Sequence, residues 1–181
     1  MRRRFGWILL ALIVLVVAGA VALVVSEKPT LDDDRDAVDA RWTALRAPLV
    51  TRYANLDAAL AAFVAAGGGD RSVAKDLQGE LAAWKKAVAA RDAATQVESA
   101  NRLEGAGLRL RGNVLASPRI AAVPDVTDKL AAFDGSAPPA ALVRAYNAAV
   151  RTYEDDRDDT LRKPLTWAFG FDARPLLVIG G

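Results

Sequence analysis

Residues 38–63 read VDARWTALRAPLVTRYANLDAALAAF, with apolar residues returning every three or four positions. This spacing gathers the apolar side chains on one face of an α-helix. They are Val38, Trp42, Leu45, Leu49, Tyr53, Leu56, Leu60 and Phe63. We therefore predict a helix over residues 32–66 whose apolar face packs against other helices. Pro48 lies inside the pattern and is expected to kink this helix or divide it in two.

A second helix is predicted over residues 73–115. The turn Gly67–Asp70 precedes it, and Ser72 is a suitable N-cap because its hydroxyl can accept a hydrogen bond from the first turn. Glycines weaken the stretch Gly105–Gly112, which indicates either a closely approaching partner helix or a frayed end. Since a short loop between two long helices makes them antiparallel neighbours, the first two helices are expected to form a hairpin.

Two further helices complete the predicted bundle. A short helix runs from Pro124 to about Phe133, and a final helix, capped by Ser136, ends at Pro164. No segment shows the period-two alternation that is typical of a strand. The sequence thus predicts an all-α protein, in which an elongated antiparallel bundle of three or four helices follows the N-terminal region.

The N-terminal region predicts a transmembrane helix. The 21 residues from Phe5 to Val25 carry no charge, and at ~1.5 Å per residue they span roughly 31 Å, about the thickness of a bilayer's hydrocarbon core. Arg2–Arg4 before this run and Asp32–Asp34 after it place the N-terminus in the cytoplasm and residues 26–181 outside the cell membrane. The alternative is a cleaved signal peptide, since Ala18-Gly19-Ala20 has small residues at a cleavage-like spacing.

The composition excludes several classes of site. The chain of 181 residues has no cysteine and no histidine, so it offers neither a disulfide framework nor a Cys/His zinc site nor a Ser-His-Asp triad. The net charge of +2 comes from the three leading arginines, because residues 26–181 carry 21 basic and 22 acidic side chains. We therefore expect no nucleic-acid binding. The chain divides into a cytoplasmic tip and anchor, residues 1–28, and an exported domain, residues 29–181.

The acidic run Glu154–Asp159 is the most conspicuous charge cluster. Consecutive side chains on a helix point in different directions, so we interpret the run as solvated helix surface rather than a cation site. Trp42 and Trp84 lie on the first two predicted helices and are expected in the core; a hydrophobic ligand cleft between the helices is the alternative. We predict no catalytic residue, no cofactor and no metal ion.

The stretch Arg144–Tyr153, RAYNAAVRTY, resembles the R-x-Y-N-x-x-V-x-x-Y signature of the LemA family. The order of the other features is similar: an N-terminal membrane helix, Trp42 and Arg52 in the first helix after it, and Gly170-Phe171 near the end. Glu154 stands where the family often has a further Asn, so the chain looks like a divergent member. The resemblance implies a membrane-anchored, elongated antiparallel bundle with an interaction role among envelope proteins.

Two groups of residues are candidates for contacts with a partner or for structural motifs. Asn147 belongs to the signature; a buried Asn must be hydrogen-bonded, and it either fixes the packing of its helix or contacts a ligand or partner. The apolar tail, residues 165–181, either packs back onto the bundle or is exposed to a partner or the membrane. The candidates are Arg144, Tyr146, Asn147, Val150, Tyr153, Trp167, Phe169, Gly170 and Phe171.

Two functions follow from these features. The first is a membrane-anchored, non-enzymatic interaction or scaffold module that presents a bundle face, or Trp167–Phe171, to an envelope protein. The second is an extracytoplasmic sensor or ligand-binding bundle, which a small molecule would enter near Gly105–Gly112. The oligomeric state is left open, since Gly6 and Gly19 do not form the Gly-x-x-x-Gly pair of many membrane-helix dimers.

Overall fold

The structure, a computed structural model, describes residues 2–160 and 162–180. The predicted final helix includes Leu161 and the predicted tail includes Gly181; both lie outside the described residues, as does Met1. Helices make up most of the described chain, and that part contains no β-strand. The all-α prediction is confirmed.

Seven α-helices are assigned within the described residues. They are α1 (Arg2–Phe63), α2 (Ser72–Ala90), α3 (Ala93–Leu115), α4 (Pro118–Ala121), α5 (Pro124–Gly135), α6 (Ala140–Asp158) and α7 (Lys163–Phe169). A π-helical turn, Val64–Gly68, joins α1 to α2, and Gly67 turns the chain there with a φ of 91°. Residues 171–180 follow α7 without helical structure and are called the C-terminal segment below.

Helix α1 unites the predicted anchor and the first predicted bundle helix. No loop separates the two, because α1 continues through the polar residues Ser26–Pro29, and Pro48 does not divide the helix either. A proline inside a helix removes one hydrogen bond and crowds the preceding turn. At Pro48 the flanking Leu45 and Leu49 are fully buried, so tertiary packing holds the helix on both sides of the proline.

The second predicted helix is in fact two helices, α2 and α3. Arg91 adopts the left-handed conformation, with a φ of 59°, and this reverses the chain. Asp92 then caps α3 by accepting a hydrogen bond from the main-chain N–H of Ala94 at 3.1 Å. The break falls in the weakly patterned stretch 89–95, where neither glycine nor proline marks it.

The order of contacts along α1 defines the topology. The Trp42 indole N–H donates to the Gln96 side-chain oxygen at 3.0 Å, and the Arg52 guanidinium donates to the Glu104 carboxylate at 2.7 Å. Both contacts advance in the same direction along the two helices, so α3 runs parallel to α1, and α2 lies antiparallel to both. Helices α5 and α6 pack one after the other along α1 in the opposite direction, with the Tyr146 ring centre 5.6 Å from that of Trp42. The bundle is elongated, since the part of α1 after residue 25 is about 55 Å long at 1.5 Å per residue.

Several predicted helix ends are corrected. Ser136 does not cap α6: it ends α5, where its hydroxyl donates to the Phe133 carbonyl at 2.7 Å, and α6 begins at Ala140. Pro164 does not end a helix but lies in the first turn of α7, where its missing N–H costs nothing. Ser72 is the first residue of α2 rather than its cap.

The apolar residues of α1 fall into an uncovered and a covered part. From Leu12 to Val25 the large apolar side chains that the structure describes are mostly exposed, whereas the stripe that starts at Leu31 is buried. Among the described residues, α1 is the one helix whose length and composition suffice to cross a membrane. An apolar helix that the protein leaves uncovered is suited to lipid contact, because its backbone polar groups are paired within it.

The buried stripe forms one core with α2, α3, α5 and α6. Trp42 and Trp84 are both buried, as predicted, and Trp84 packs edge-on against Tyr53 with ring centres 4.9 Å apart. Gly107 of α3 allows α5 to approach, since a Cβ atom there would lie 2.9 Å from the Phe133 ring. Of the two explanations for the glycine-containing stretch, close approach holds at Gly107, and α3 continues unbroken to Leu115.

Candidate interaction site

The C-terminal segment lies along the bundle between α1, α3 and α6. At its start, the Phe171 ring lies 5.4 Å from the guanidinium carbon of Arg35. At its end, the carbonyl of Gly180 accepts a hydrogen bond from Arg52 at 3.3 Å. The segment therefore runs parallel to α1, away from the predicted membrane anchor.

Two asparagine side chains bind the main chain of the segment from opposite sides. Asn147 of α6 donates to the Leu177 carbonyl and accepts from the Leu177 N–H, both at 2.8 Å. Asn101 of α3 donates to the Leu176 carbonyl and accepts from the Val178 N–H, also at 2.8 Å. Each amide thus pairs with the backbone as a neighbouring strand would, and these main-chain groups are not left open to strand addition.

Two tyrosines of α6 hold the earlier part of the segment. The Tyr146 hydroxyl donates to the Pro175 carbonyl and the Tyr153 hydroxyl to the Asp172 carbonyl, each at 2.9 Å. Burial raises the pKa of both phenols above its ordinary value, so both remain neutral hydrogen-bond donors. Val150 lies buried on the same helix, whereas Arg144 lies on its exposed face and takes no part in this site.

A buried ion pair stands where the segment ends. Arg52 and Glu104 are 1% and 4% exposed and form two charge-assisted hydrogen bonds, at 2.7 and 2.8 Å. Arg52 also donates to the Phe133 carbonyl at 2.7 Å, and Glu104 accepts from the N–H of Gly180 at 3.1 Å. This cluster links α1, α3, α5 and the C-terminal segment. Burial, and then the charge of Glu104, raises the pKa of the neighbouring Tyr53.

Some apolar side chains of the C-terminal segment point into the core and others point to solvent. Phe171 and Leu177 are buried, whereas Leu176 and Val178 are 40% and 65% exposed, because successive side chains of an extended chain point to opposite sides. Leu108 and Leu115 lie seven residues apart on α3, and hence on one face of that helix, and are 48% and 73% exposed. We call these four exposed residues, Leu108, Leu115, Leu176 and Val178, the apolar stripe.

The other predicted candidates lie at the opposite end of the molecule. Trp167 is 91% exposed on α7, and Phe169 is 44% exposed. Gly170 ends α7 in the left-handed conformation, with a φ of 68°, and turns the chain into the C-terminal segment. The tail therefore divides: Phe171 packs into the core, and Trp167 is left uncovered by the rest of the described chain.

Part of the acidic run also has structural partners. Glu154 accepts a hydrogen bond from the N–H of Arg174 at 2.6 Å. Asp156 pairs with Arg162, which also binds Glu27 at 2.8 Å. Within the described part of the chain, no group of three or more acidic, histidine or cysteine residues could hold a metal ion.

Two cavities bear on ligand binding. One, of about 340 Å³, lies between α1 and the turn from α2 to α3 and is lined largely by polar groups. The other, of about 140 Å³, lies beside Gly107 and Phe133. Small-molecule sites usually measure ~300–1,000 Å³, so the predicted entry near Gly105–Gly112 offers too little space for most ligands. The lining of the larger cavity includes Asp39, Trp42, Arg46, Arg91, Asp92, Gln96 and Arg174.

Three polar residues of the site were not singled out from the sequence. Gln96, Asn101 and Glu104 all lie on α3, and Gln96 and Glu104 are buried. For Glu104 the signal is positional, because it lies four residues after Ala100 and three before Gly107, on the face of α3 that packs into the core. A polar residue at a core position indicates a buried hydrogen-bond network.

No family model, curated protein or solved structure matches this chain. The resemblance to the LemA family stays a prediction that rests on the residues of α6 and on the order of the elements.

Proposed function

We propose that this protein is a single-pass, membrane-anchored interaction module of the cell envelope, without enzymatic activity of its own. Its N-terminus would be cytoplasmic and residues 26–181 would lie outside the cell membrane, as the arginines before α1's apolar run favour. Its partner would be another envelope protein. The resemblance to the LemA family supports the same role.

The apolar stripe is the observation that carries this proposal. Large exposed apolar residues in one region mark contact surfaces more often than scattered ones do. The stripe combines side chains from α3 and from the C-terminal segment, whose backbone is already paired with Asn101 and Asn147. A partner would therefore bind these side chains by packing an apolar helix or sheet face against them, rather than by adding a strand.

Helix α1 gives this surface a fixed place relative to the membrane. The helix passes from its exposed apolar part into the bundle core without a loop, and ion pairs join Lys28 to Asp32 and Glu27 to Arg162 at that junction. Because no flexible linker separates the membrane helix from the bundle, the apolar stripe would lie at a fixed distance from the bilayer. That property suits a protein that positions a partner at the membrane surface.

Photo-cross-linking in intact membranes tests the proposal. A photo-reactive residue replaces Val178 in the stripe, and a matched chain carries it at Val50, which is 47% exposed on α1. We expect a reproducible heterologous cross-link from position 178 that is absent at position 50. Leu108→Asp in the same chain should abolish it, whereas Leu108→Met should retain it, since Met preserves an apolar surface.

Two results would contradict the proposal. Equal capture of the same proteins at positions 178 and 50 would show that the stripe has no preference for a partner. Cross-links that survive Leu108→Asp unchanged would show that its apolar character is not used. Unfolding temperatures of the Leu108 variants provide the control, because Leu108 is half exposed and its replacement should leave the bundle folded.

The 340 Å³ cavity favours small-ligand binding as a second candidate function. It is of ligand size, and arginines and aspartates converge on it. A ligand that binds only the folded state raises the unfolding temperature as its concentration increases. We would measure that temperature with a panel of small polar molecules, using Arg46→Ala as the variant that should remove any saturable increase.

A further inference from the structure

Helix α7 lies at the point where α1 leaves its apolar run. Arg162, just before α7, binds Glu27 at 2.8 Å, and the Phe169 ring at its end lies 5.5 Å from the Lys28 ammonium. Both ends of α7 therefore contact one turn of α1. Buried Leu165 holds the helix against the bundle, while Trp167 remains 91% exposed.

The position of α7 along α1 can be compared with the layers of a bilayer. Lys28 follows Val25, the end of the uncharged run, by three residues, or about 4.5 Å of helix rise. The headgroup layer on each side of the hydrocarbon core is about 5–7 Å thick. A side chain at the level of Lys28 would lie within that layer if residues 5–25 cross the membrane.

Helix α1 itself supplies no aromatic residue at the level of this layer. Trp7 is exposed near the cytoplasmic end, but α1 has no further aromatic residue until Trp42. Trp and Tyr are enriched at both surfaces of the bilayer. From Trp7 to Lys28 the helix rises about 31 Å, close to the ~30 Å of the hydrocarbon core, so α7 brings Trp167 to the missing second position.

The composition of α7 fits the same surface. Lys163 and Trp167 lie four residues apart and hence on one face of the helix, and both are exposed. A lysine beside a tryptophan suits the headgroup layer, since the ring contacts the acyl boundary while the ammonium reaches the phosphates. A protein partner would require a larger continuous surface than the exposed rings of Trp167 and Phe169 on a seven-residue helix.

We propose that α7 docks on the outer surface of the bilayer, with Trp167 inserted among the lipid headgroups, and thereby fixes the tilt and rotation of α1. This inference rests on the membrane anchoring in the proposed function. It adds a second point of attachment, supplied by a segment some 140 residues after the first. With two attachment points the bundle would face the membrane in one orientation, whereas a single helix can tilt and rotate.

Site-directed fluorescence in lipid vesicles tests this docking, and the chain has no cysteine to interfere. The full chain with Ala168→Cys is labelled with a thiol-reactive fluorophore and reconstituted in phosphatidylcholine vesicles. Leu115→Cys, at the far end of α3, is the matched exposed control, and Leu15→Cys reports on the apolar run itself. We expect nitroxide lipids to quench the label at 168 several-fold more than at 115, and iodide to show the reverse order.

The Trp167 variants give the second measurement. Trp167→Ala should reduce lipid quenching at position 168 several-fold, while Trp167→Tyr should retain most of it. Neither should lower the unfolding temperature, because the ring is nearly fully exposed. Labels at 168 and 115 that respond alike to both quenchers, or a label at 168 shielded from both, would overturn the docking.

The label at position 15 separates the two proposals. If lipid nitroxides quench it while position 168 behaves like position 115, membrane anchoring holds and the docking of α7 fails. If position 15 is open to iodide, the anchoring fails and the docking fails with it.

Discussion

The Arg52–Glu104 pair shows how much a single buried charge depends on its partner. Both side chains are almost fully buried, and Glu104 accepts hydrogen bonds from Arg52 and Gly180. Replacing both charges by apolar groups of similar size is often tolerated, but removing one partner leaves the other buried and uncompensated. The stability of the bundle should therefore be far more sensitive to either single change than to the double change.

We predict that Glu104→Gln lowers the free energy of unfolding by about 3–5 kcal/mol, because Arg52 loses its counter-charge. Glu80→Gln is the control: Glu80 binds Arg102 at a similar distance, 2.9 Å, but in a solvent-exposed pair, which is worth about 1 kcal/mol or less. Thermal unfolding of both variants in detergent gives the comparison. Equal losses would mean that the burial of Arg52 is unimportant.

The carboxyl groups of Asp34 and Asp156 are adjacent groups of like charge, in contrast to the oppositely charged pair Arg52–Glu104. One oxygen of Asp34 is buried without a hydrogen-bond partner. Burial, and then the adjacent Asp156 carboxyl, raises the pKa of Asp34, although nearby Arg162 opposes this. A raised pKa in the folded state means that protonation of Asp34 stabilises folding. That contribution is complete at low pH and is lost as the pH rises through the folded-state pKa.

We therefore predict that Asp34→Asn, which mimics the protonated acid, raises the unfolding temperature at pH 7. The free energy of unfolding should increase by about 1 kcal/mol or less, because the pair is partly solvated. The gain should disappear in acid below the ordinary pKa of aspartate, where Asp34 is protonated in both states. Asp33→Asn, an exposed neighbour, is the control. A gain that persists unchanged in acid would refute this assignment.

At the scale of helices, close packing of α3 and α5 depends on one glycine. A Cβ atom at Gly107 would lie 2.9 Å from the Phe133 ring, which itself stacks on Arg52 at 4.0 Å and cannot move freely. A Cβ atom at Gly112 on the same helix meets nothing within 4 Å. The two glycines therefore have different roles, although their sequence context is similar.

Alanine substitutions should separate these roles. Gly107→Ala should destabilise the bundle by about 1–3 kcal/mol through overpacking. Gly112→Ala should stabilise it by up to about 1 kcal/mol, because alanine is the better helix former. Chemical denaturation of the two variants side by side provides the measurement. If both changes stabilised the protein, Phe133 would have to shift at no cost.

The periodic helices were the predictable elements. Apolar residues at helical spacing predicted the buried face of α1, including Trp42 and Tyr53, because burial requires that spacing. The break at Arg91 was not predictable, since a left-handed arginine carries no sequence signal. Pro164 was ambiguous, because a proline is compatible with both the end of one helix and the first turn of the next.

The C-terminal segment could be predicted only in part. Its apolar content indicated a contact, but its partners are side chains distant in sequence. A hydrogen bond was expected for Asn147, whether it fixes the packing of its helix or contacts a ligand; the backbone of Leu177, which it binds in the structure, follows from the tertiary fold alone. Asn101 is its counterpart across the segment. Nothing in the local sequence distinguishes it from a solvated helix residue.

The segment should contribute to stability chiefly through Leu177. We predict that Leu177→Ala costs about 2–5 kcal/mol, as for other fully buried leucines. Val178→Ala, one residue further and 65% exposed, should change stability by less than about 0.5 kcal/mol. Hydrogen exchange of residues 171–180 should accelerate only in the first variant. Similar exchange in both would mean that Asn101 and Asn147 hold the segment without help from the buried side chain.

At the scale of the whole molecule, the continuity of α1 bears on whether its N-terminal part is removed. Cleavage after Ala20 would leave Val21, Val24 and Val25 as an apolar stub at the start of the remaining helix, and the first two turns of the bundle would lose their support. Glu27 and Lys28 would then have to hold α7 from a frayed helix end, because the first N–H groups of a helix lack intrahelical partners.

We therefore predict that the protein isolated from membranes is uncleaved. N-terminal peptides covering Arg2–Arg4 should be recovered from it by mass spectrometry. A mature chain that begins at Val21 would contradict this and support the signal-peptide alternative. Replacing Ala20 by a bulky residue is the control: it should leave the recovery of the Arg2–Arg4 peptides unchanged if the helix is an anchor, and it should cause the precursor to accumulate if the helix is a signal.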